Sequence, residues 1–222
     1  MRFSFRQSPV IVILGALVLT AAARQIPAAQ AAPTAAELTK KLQARYQTVR
    51  DFTADFTQTY QGVLQRKAAT EKGKLQLKKP SRVRMTYESP ERKVFVADGV
   101  QFYSYFPADR TGSVNPLPKE GESSTALLFI AGRGDLTRDF TASLAPTQPP
   151  TEWHVKLVPR TPQADFQTLT LIVDRTTLAL NGFVTVDDQG TNTIRLANVK
   201  ENTGLRDTAF DFQFPKGTEI SR

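Results

Sequence analysis

The chain has 222 residues, a formal net charge of +8, one histidine and no cysteine. That length holds one sizeable domain or two small ones. The missing cysteines exclude a disulfide framework, a Cys/His zinc cluster and a lipidated N-terminal cysteine.

The first 31 residues read as a targeting segment. Arg2 and Arg6 form a positive n-region, Val10 to Ala23 is an uncharged apolar run, and Ala29-Gln30-Ala31 is a small-x-small cleavage site. This is the layout of a secretory signal peptide, and the run is short for a bilayer span. Cleavage after Ala23 is an alternative. Cleavage after Ala31 leaves Thr34 and Glu37 to open the mature chain as a helix capping box. Arg2, Arg6 and Arg24 and no acid precede Ala32, so +8 falls to +5 on cleavage. Export argues against nucleic acid as the partner of this mildly basic chain, and makes an anionic membrane surface or an acidic partner the alternative. The product is expected to be soluble and, in a Gram-negative cell, periplasmic.

In the mature chain, Leu38, Leu42, Tyr46 and Val49 recur at steps of four, four and three, one apolar stripe of a helix over 37–49. From Asp51 the period becomes two. Phe52, Ala54, Phe56, Gln58 and Tyr60 share one side of a strand, with Thr53, Asp55, Thr57 and Thr59 on the other. A polar connection, QGVLQRKAAT, follows. GKLQLKKPSRVRMTYESP (73–90) then reads as one half-buried strand. Leu75, Leu77, Val83, Met85 and Tyr87 lie on its apolar face, with Lys79 among them.

Asp98-Gly99 between two β-rich runs predicts a hairpin. Residues 107–124, with three prolines and two glycines, read as a long loop. Ser123 or Ser124 is a candidate cap and Gly132 a candidate stop for a short helix whose run Ala126 to Ala131 is apolar on every side. Such a helix wants apolar neighbours on more than one side. Arg133-Gly134-Asp135 reads as an uninformative surface tripeptide. Beyond Phe140 short strands follow, divided by turn signals at Asn181-Gly182 and Gln189-Gly190. Phe210, Phe212 and Phe214 share one phase of a closing strand. The residues predict one antiparallel β domain over 32–222, with a helix in front and a short one in the middle.

Catalytic constellations are nearly missing from the sequence. His154 is out of phase with Trp153 and Val155 and reads as an ordinary strand residue. Asp187-Asp188 reads as a hairpin turn, and no G-x-S-x-G, P-loop or dinucleotide-binding motif occurs. A hydrolase with distant carboxylates stays open on sequence alone.

The stretches VRDFTADFTQ (49–58), 73–90, VADGVQFYSYFP (96–107), TALLFIAG (125–132) and FDFQFPKG (210–217) together resemble the periplasmic outer-membrane lipoprotein carrier family, LolA. The resemblance spans about Glu37 to Ile220. It implies a mainly β fold with helices: a single curved antiparallel sheet forming an incomplete (half) β-barrel with an α-helical lid over an apolar cavity. Phe52, Phe56, Leu75, Leu77, Val83, Met85 and Tyr87 would line the cavity for acyl chains. Leu127, Leu128, Phe129 and Ile130 would belong to the lid helix.

By the same resemblance, the cargo would be triacylated lipoproteins. A monomeric carrier without cofactor, ATP or metal would take them from an inner-membrane ABC lipoprotein-releasing complex. It would pass them to an outer-membrane lipoprotein acceptor of the LolB kind. Lys79 stands where familiar members have an arginine that bonds to lid carbonyls and holds the empty form shut. It is expected to gate the lid from near Ala126 to Gly132, without arginine's planar fork. Two large aromatics common in this strand are replaced by Val83 and Met85. A binder of another lipid or glycolipid, or a lipoprotein sensor resembling RseB, is the alternative on the same fold. RseB-like sensors carry a further C-terminal domain, and this chain ends just after the last strand.

Overall fold

The structure is a computed structural model that describes residues 32–119, 126–163 and 166–221. The expected signal segment 1–31 and the expected caps Ser123 and Ser124 lie outside them. Helix α1, Ala35–Thr48, starts at the reciprocal box expected of Thr34 and Glu37, each side chain serving the other's backbone N–H. Twelve strands follow among the described residues: β1 Asp51–Gly62, β2 Ala69–Lys78, β3 Arg82–Ser89, β4 Lys93–Asp98, β5 Gln101–Phe106, β6 Thr111–Pro116, β7 Phe140–Leu144, β8 Glu152–Pro159, β9 Thr168–Asp174, β10 Leu180–Val186, β11 Gly190–Glu201 and β12 Glu219–Ser221. Between β6 and β7 lie α2, Ala126–Leu128, which runs into a wider turn Phe129–Arg133, and α3, Leu136–Asp139.

All twelve strands belong to one sheet, ordered β12-β6-β5-β4-β3-β2-β1-β11-β10-β9-β8-β7. Every pair is antiparallel except β12 with β6, and the end strands do not meet, so the sheet is open. Laid flat, twelve strands would be roughly 55 Å wide at about 4.8 Å each. Yet one contiguous buried cluster joins Leu75 and Val83 in the middle to Val155, Leu157 and Phe140 at the far end. The sheet must therefore curl around that cluster.

The stretch 73–90 is not one strand but the β2–β3 hairpin. Pro80 brings no N–H to a ladder, and Ser81 sits at φ +60, so the chain turns at Lys79-Pro80-Ser81. Leu77 faces Val83 and Leu75 faces Met85 across the pair. Directly opposed residues share a face, so the alternation survives the turn and hides it from a parity count. Three other expectations change. Part of the expected loop 107–124 is β6, paired with β5 from Thr111 to Pro116. Asn181-Gly182 is a bulge inside β10, where a Cβ on Gly182 would come within 2.3 Å of the Ile194 carbonyl oxygen. Asp135 of the supposed idle tripeptide caps α3, accepting from the amides of Thr137 and Arg138.

The closing phenylalanines form no ladder strand. After β11 the chain crosses the outer face as a strap. Lys78 pairs with Asp207 (2.6 Å) and donates to the Leu205 carbonyl, while Arg84 donates to the carbonyls of Ala209 and Asp211. Phe212 and Phe214 pack on Tyr103 and Tyr105. Phe210 is fully buried. The polar face of β2 and β3 is therefore partly an anchoring surface.

Gly73 is needed at a close approach. A Cβ there would lie 2.1 Å from the Thr86 carbonyl oxygen and 2.9 Å from the Phe56 ring. Gly73→Ala is expected to cost about 2–3 kcal/mol, the upper part of the range for overpacking. The check is urea unfolding: the midpoint should fall with little change in slope.

Candidate functional site

The inner face of the sheet is apolar and deeply buried. Phe52, Phe56, Leu75, Leu77, Val83, Met85 and Tyr87, the expected lining residues, are each at most 5% exposed and belong to one cluster. Sequence reasoning did not pick out the other wall, contributed by Trp153, Val155, Leu157, Leu169, Leu171, Val173, Phe183 and Ile194. Those strands show alternation too, but only curvature brings their apolar face opposite β1–β3.

Three helical pieces cover this face. Leu38 and Leu42 of α1, Ala126, Ile130 and Ala131 of the α2 segment, and Leu136 of α3 are buried against it. Leu127 is half-buried on the same cluster. The side chains of Leu128 and Phe129 lie outside the described residues. The Leu136 amide donates to Gln43 Oε1 (2.9 Å), tying α3 to α1. A cavity of about 50 Å³ remains under the helices, walled by Leu42, Tyr46, Val49, Phe52, Ile130 and Leu171 among others, with the Arg45–Glu201 ion pair at its margin. That is one or two waters' worth of space, at about 30 Å³ each. Pockets for small ligands run to roughly 300–1,000 Å³. The interior is thus apolar but filled by the protein's own side chains.

An aromatic row leads out of it. Phe56 meets Tyr87 edge-on at 4.9 Å, Tyr87 meets Phe95 at 5.6 Å, and Phe95 contacts Phe102 and Phe106 at about 6 Å. Exposure rises along the row, from 2% at Phe56 to 36% and 37% at Phe102 and Phe106. Burial raises the pKa of the Tyr87 phenol, which donates to Gln58 Oε1, so the ring stays neutral.

Lys79 lies at the junction of the sheet with its cover. Its own amide donates to the Arg50 carbonyl (2.8 Å), and the Ser81 amide donates to the Ala131 carbonyl (2.9 Å). Its stem runs beside Gly132, where a Cβ would be 3.2 Å from Lys79 Cγ. Gly132 is also left-handed at φ +98, so both space and backbone favour glycine there. The ammonium does not go to the Ala126–Gly132 carbonyls, as expected. It crosses Gly132, donates to the Tyr46 carbonyl in the last turn of α1, and lies 3.2 Å from the Tyr46 ring centroid. A lysine stem is long enough to reach past the small glycine, and orphan carbonyls at a helix C-terminus attract a cation. Burial raises the pKa of the Tyr46 phenol, and the Gly132 backbone beside it offsets part of that rise. Turn, front helix and lid segment thus meet at one lysine and one tyrosine.

The fold and interior define a scaffold class: an open, curled antiparallel sheet whose concave apolar face is roofed by short helices. The family model described as "Outer membrane lipoprotein carrier protein LolA" matches residues 47–213, and the chain belongs to this family. A protein of Legionella pneumophila (strain Corby) named outer-membrane lipoprotein carrier protein is 29% identical over 181 residues, covering 81% of this chain and 87% of its own. One of Nitrosomonas europaea with the same name is 28% identical, covering 86% and 91%. A solved structure of an uncharacterized conserved protein from Thermus thermophilus shares the fold. Its TM-score is 0.53 at 11% identity, over 83% of this chain and 99% of that one.

Burial depresses the Lys79 pKa from 10.5 to about 8. Between those values the unfolded chain holds more protons than the folded one, so this residue's contribution to stability is flat at its lowest below about pH 8, rises with pH toward 10.5 and is flat again above it. Replacing Lys79 by Met should flatten the rise in urea midpoint between pH 7.5 and 9.5, before tyrosine ionisation sets in.

Proposed function

We propose that the protein is a periplasmic carrier that shelters the acyl chains of lipoproteins on the concave face of its sheet. It would receive them from an inner-membrane ABC releasing complex and hand them to an outer-membrane acceptor. The observation that carries this reading is a continuous apolar interior covered by helical segments that Lys79 and the Ser81 amide tie to the sheet turn. Membership of the carrier family supports it.

The energetics favour exchange of cover for cargo. Moving the helices exposes a few large apolar side chains, at about 1.5–3 kcal/mol each. Each acyl methylene buried returns about 0.8 kcal/mol. Two to four methylenes therefore offset one leucine or isoleucine, and three long chains offset the whole roof. Release needs no chemistry, only a partner that binds the same chains more favourably. In this scheme Lys79 gates: its bond to Tyr46 stabilises the roofed, empty state and so favours unloading.

The first test is mass spectrometry of lipid and lipoprotein that copurify from periplasm; a clean protein with no acylated species would sink the proposal. Val83→Glu puts an unpaired carboxylate in the apolar wall, a burial costing several kcal/mol, and cargo binding should fall at least tenfold. Thr86→Glu, on the other face, should be mild. If both bind cargo like the wild type, the inner face is not the site. For the gate, loaded carrier is mixed with purified acceptor. Lys79→Leu should still load but transfer more slowly, and Lys79→Arg should transfer at least as well as the wild type. Equal rates for Lys79→Leu and wild type would reduce the lysine to a packing role.

A further inference from the structure

The β1–β2 connection is expected from its sequence to be polar, and its tip is not. Val63 is 71% exposed and Leu64 is 96% exposed, the barest large apolar side chain in the described residues. Single exposed leucines are common on protein surfaces. Two apolar residues in succession at the tip of a hairpin are different, because polar turn residues normally occupy such places. The tip is also held in place. The Val63 amide donates to the Gln189 carbonyl (2.9 Å), the Gln65 amide to Gly62, and Gln61 Nε2 to the Gln65 carbonyl (2.6 Å). Beyond the last ladder pair, Gly62 with Gly190, the Val63 bond to Gln189 is the last hydrogen bond from the loop to a neighbouring element among the described residues.

Arg66 and Lys67 follow directly and are exposed. Nearby, Lys74 pairs with Glu88, and Lys93 with Glu71. Arg66, Lys67 and Lys72 form no ion pair among the described residues, so the hairpin end offers three cations beside a bare apolar pair, with Asp187 and Asp188 in the neighbouring β10–β11 turn engaged by Gln189, Gly190 and Gln167.

We infer that this tip is a membrane-contacting element, with Val63 and Leu64 entering the interfacial layer of an anionic phospholipid bilayer while Arg66 and Lys67 meet headgroup phosphates. The combination of apolar anchors and adjacent cations suits a lipid surface. It suits a protein partner less well, since two side chains cover far less than the roughly 800 Å² per side of a stable interface. The placement gives the contact a use. β1 carries Phe52 and Phe56 on the inner wall and runs on to the tip. Of the two outer members of the aromatic row, Phe106 lies toward the same end of the sheet and Phe102 toward the other. The Lys79 turn is at the other end, about 40 Å away along β1 at roughly 3.3 Å per residue. A membrane met by the tip would lie on the side of Phe106. The inference does not depend on the identity of the cargo.

The full mature chain is mixed with vesicles of equal parts phosphatidylcholine and phosphatidylglycerol, or of phosphatidylcholine alone, and pelleted. Binding is expected only with phosphatidylglycerol and should weaken with salt. The double change Val63→Ser, Leu64→Ser and the double change Arg66→Gln, Lys67→Gln should each lower it about tenfold or more. Both should keep the wild-type melting temperature, since these side chains lie outside the core. The chain lacks cysteine, so Leu64→Cys accepts a polarity-sensitive dye at one place. Its emission should shift to the blue with phosphatidylglycerol vesicles. Dye on Val100→Cys, 72% exposed at the opposite end of the sheet, should not shift. No binding to phosphatidylglycerol vesicles, unchanged binding by the serine variant, or equal shifts at both positions overturns the inference. A Leu64 shift that needs a purified acceptor protein and no lipid overturns it in favour of a protein partner.

Discussion

An antiparallel sheet with one apolar face must place that face against something. In this chain the sheet curls but does not close: β7 and β12 end it without meeting. Closure would have sealed the interior permanently, and a flat sheet would have needed a second layer as wide as itself. The open curl leaves a concave face that short helices can cover. Those helices bring little of their own stability, α2 and α3 being three and four residues long. Helices so short hold their shape through packing on the sheet. The cover is therefore dependent on the sheet, while the sheet, with its outer strap and its ladders, does not depend equally on the cover.

The cover packs on the sheet through apolar side chains, and its polar ties to the β2–β3 turn are few and set at one end. Lys79, Ser81, Tyr46 and Gly132 converge where the β2–β3 turn meets α1 and the α2 segment. A half-buried ammonium with a depressed pKa is a weak tie compared with an apolar contact, because desolvation opposes the bond it makes. A tie of that kind adds direction without adding much strength. It specifies which helix end sits over which turn. The cavity of about 50 Å³ under the helices is small beside the side chains that surround it.

The outer face serves stability. Asp51 accepts from the amides of Thr203 and Gly204 where the strap begins, Lys78 and Arg84 hold its middle, and Phe212 and Phe214 cover the tyrosines of β5. Aromatic mass that could have extended the inner wall lies here instead. Glu152, pulled down to about pKa 2 chiefly by Arg195, with Asn181 and His154 assisting, ties β8, β10 and β11 on the same side. His154 thus has a structural partner in Glu152, consistent with its out-of-phase position.

The sequence by itself determined the fold class, the inner-face residues and the family. Period-two alternation places Phe52, Phe56, Leu75, Leu77, Val83, Met85 and Tyr87 on one face whatever the turns do, because opposed residues of a hairpin share a side. Thr34 and Glu37 announce α1 through local chemistry, and Asp98-Gly99 and Asp187 announce turns for the same reason. What only the tertiary structure decided is where distant faces meet. The turn at Pro80 is invisible to parity, β6 is a strand because β5 offers a partner, and Asn181-Gly182 is a bulge in the pairing of β10 with β9. The Tyr46 carbonyl becomes the partner of Lys79 only once curvature brings the end of α1 over the β2–β3 turn. Local sequence encodes period and caps; the closing of one element on another is a property of the whole sheet's curl, and no window along the chain contains it.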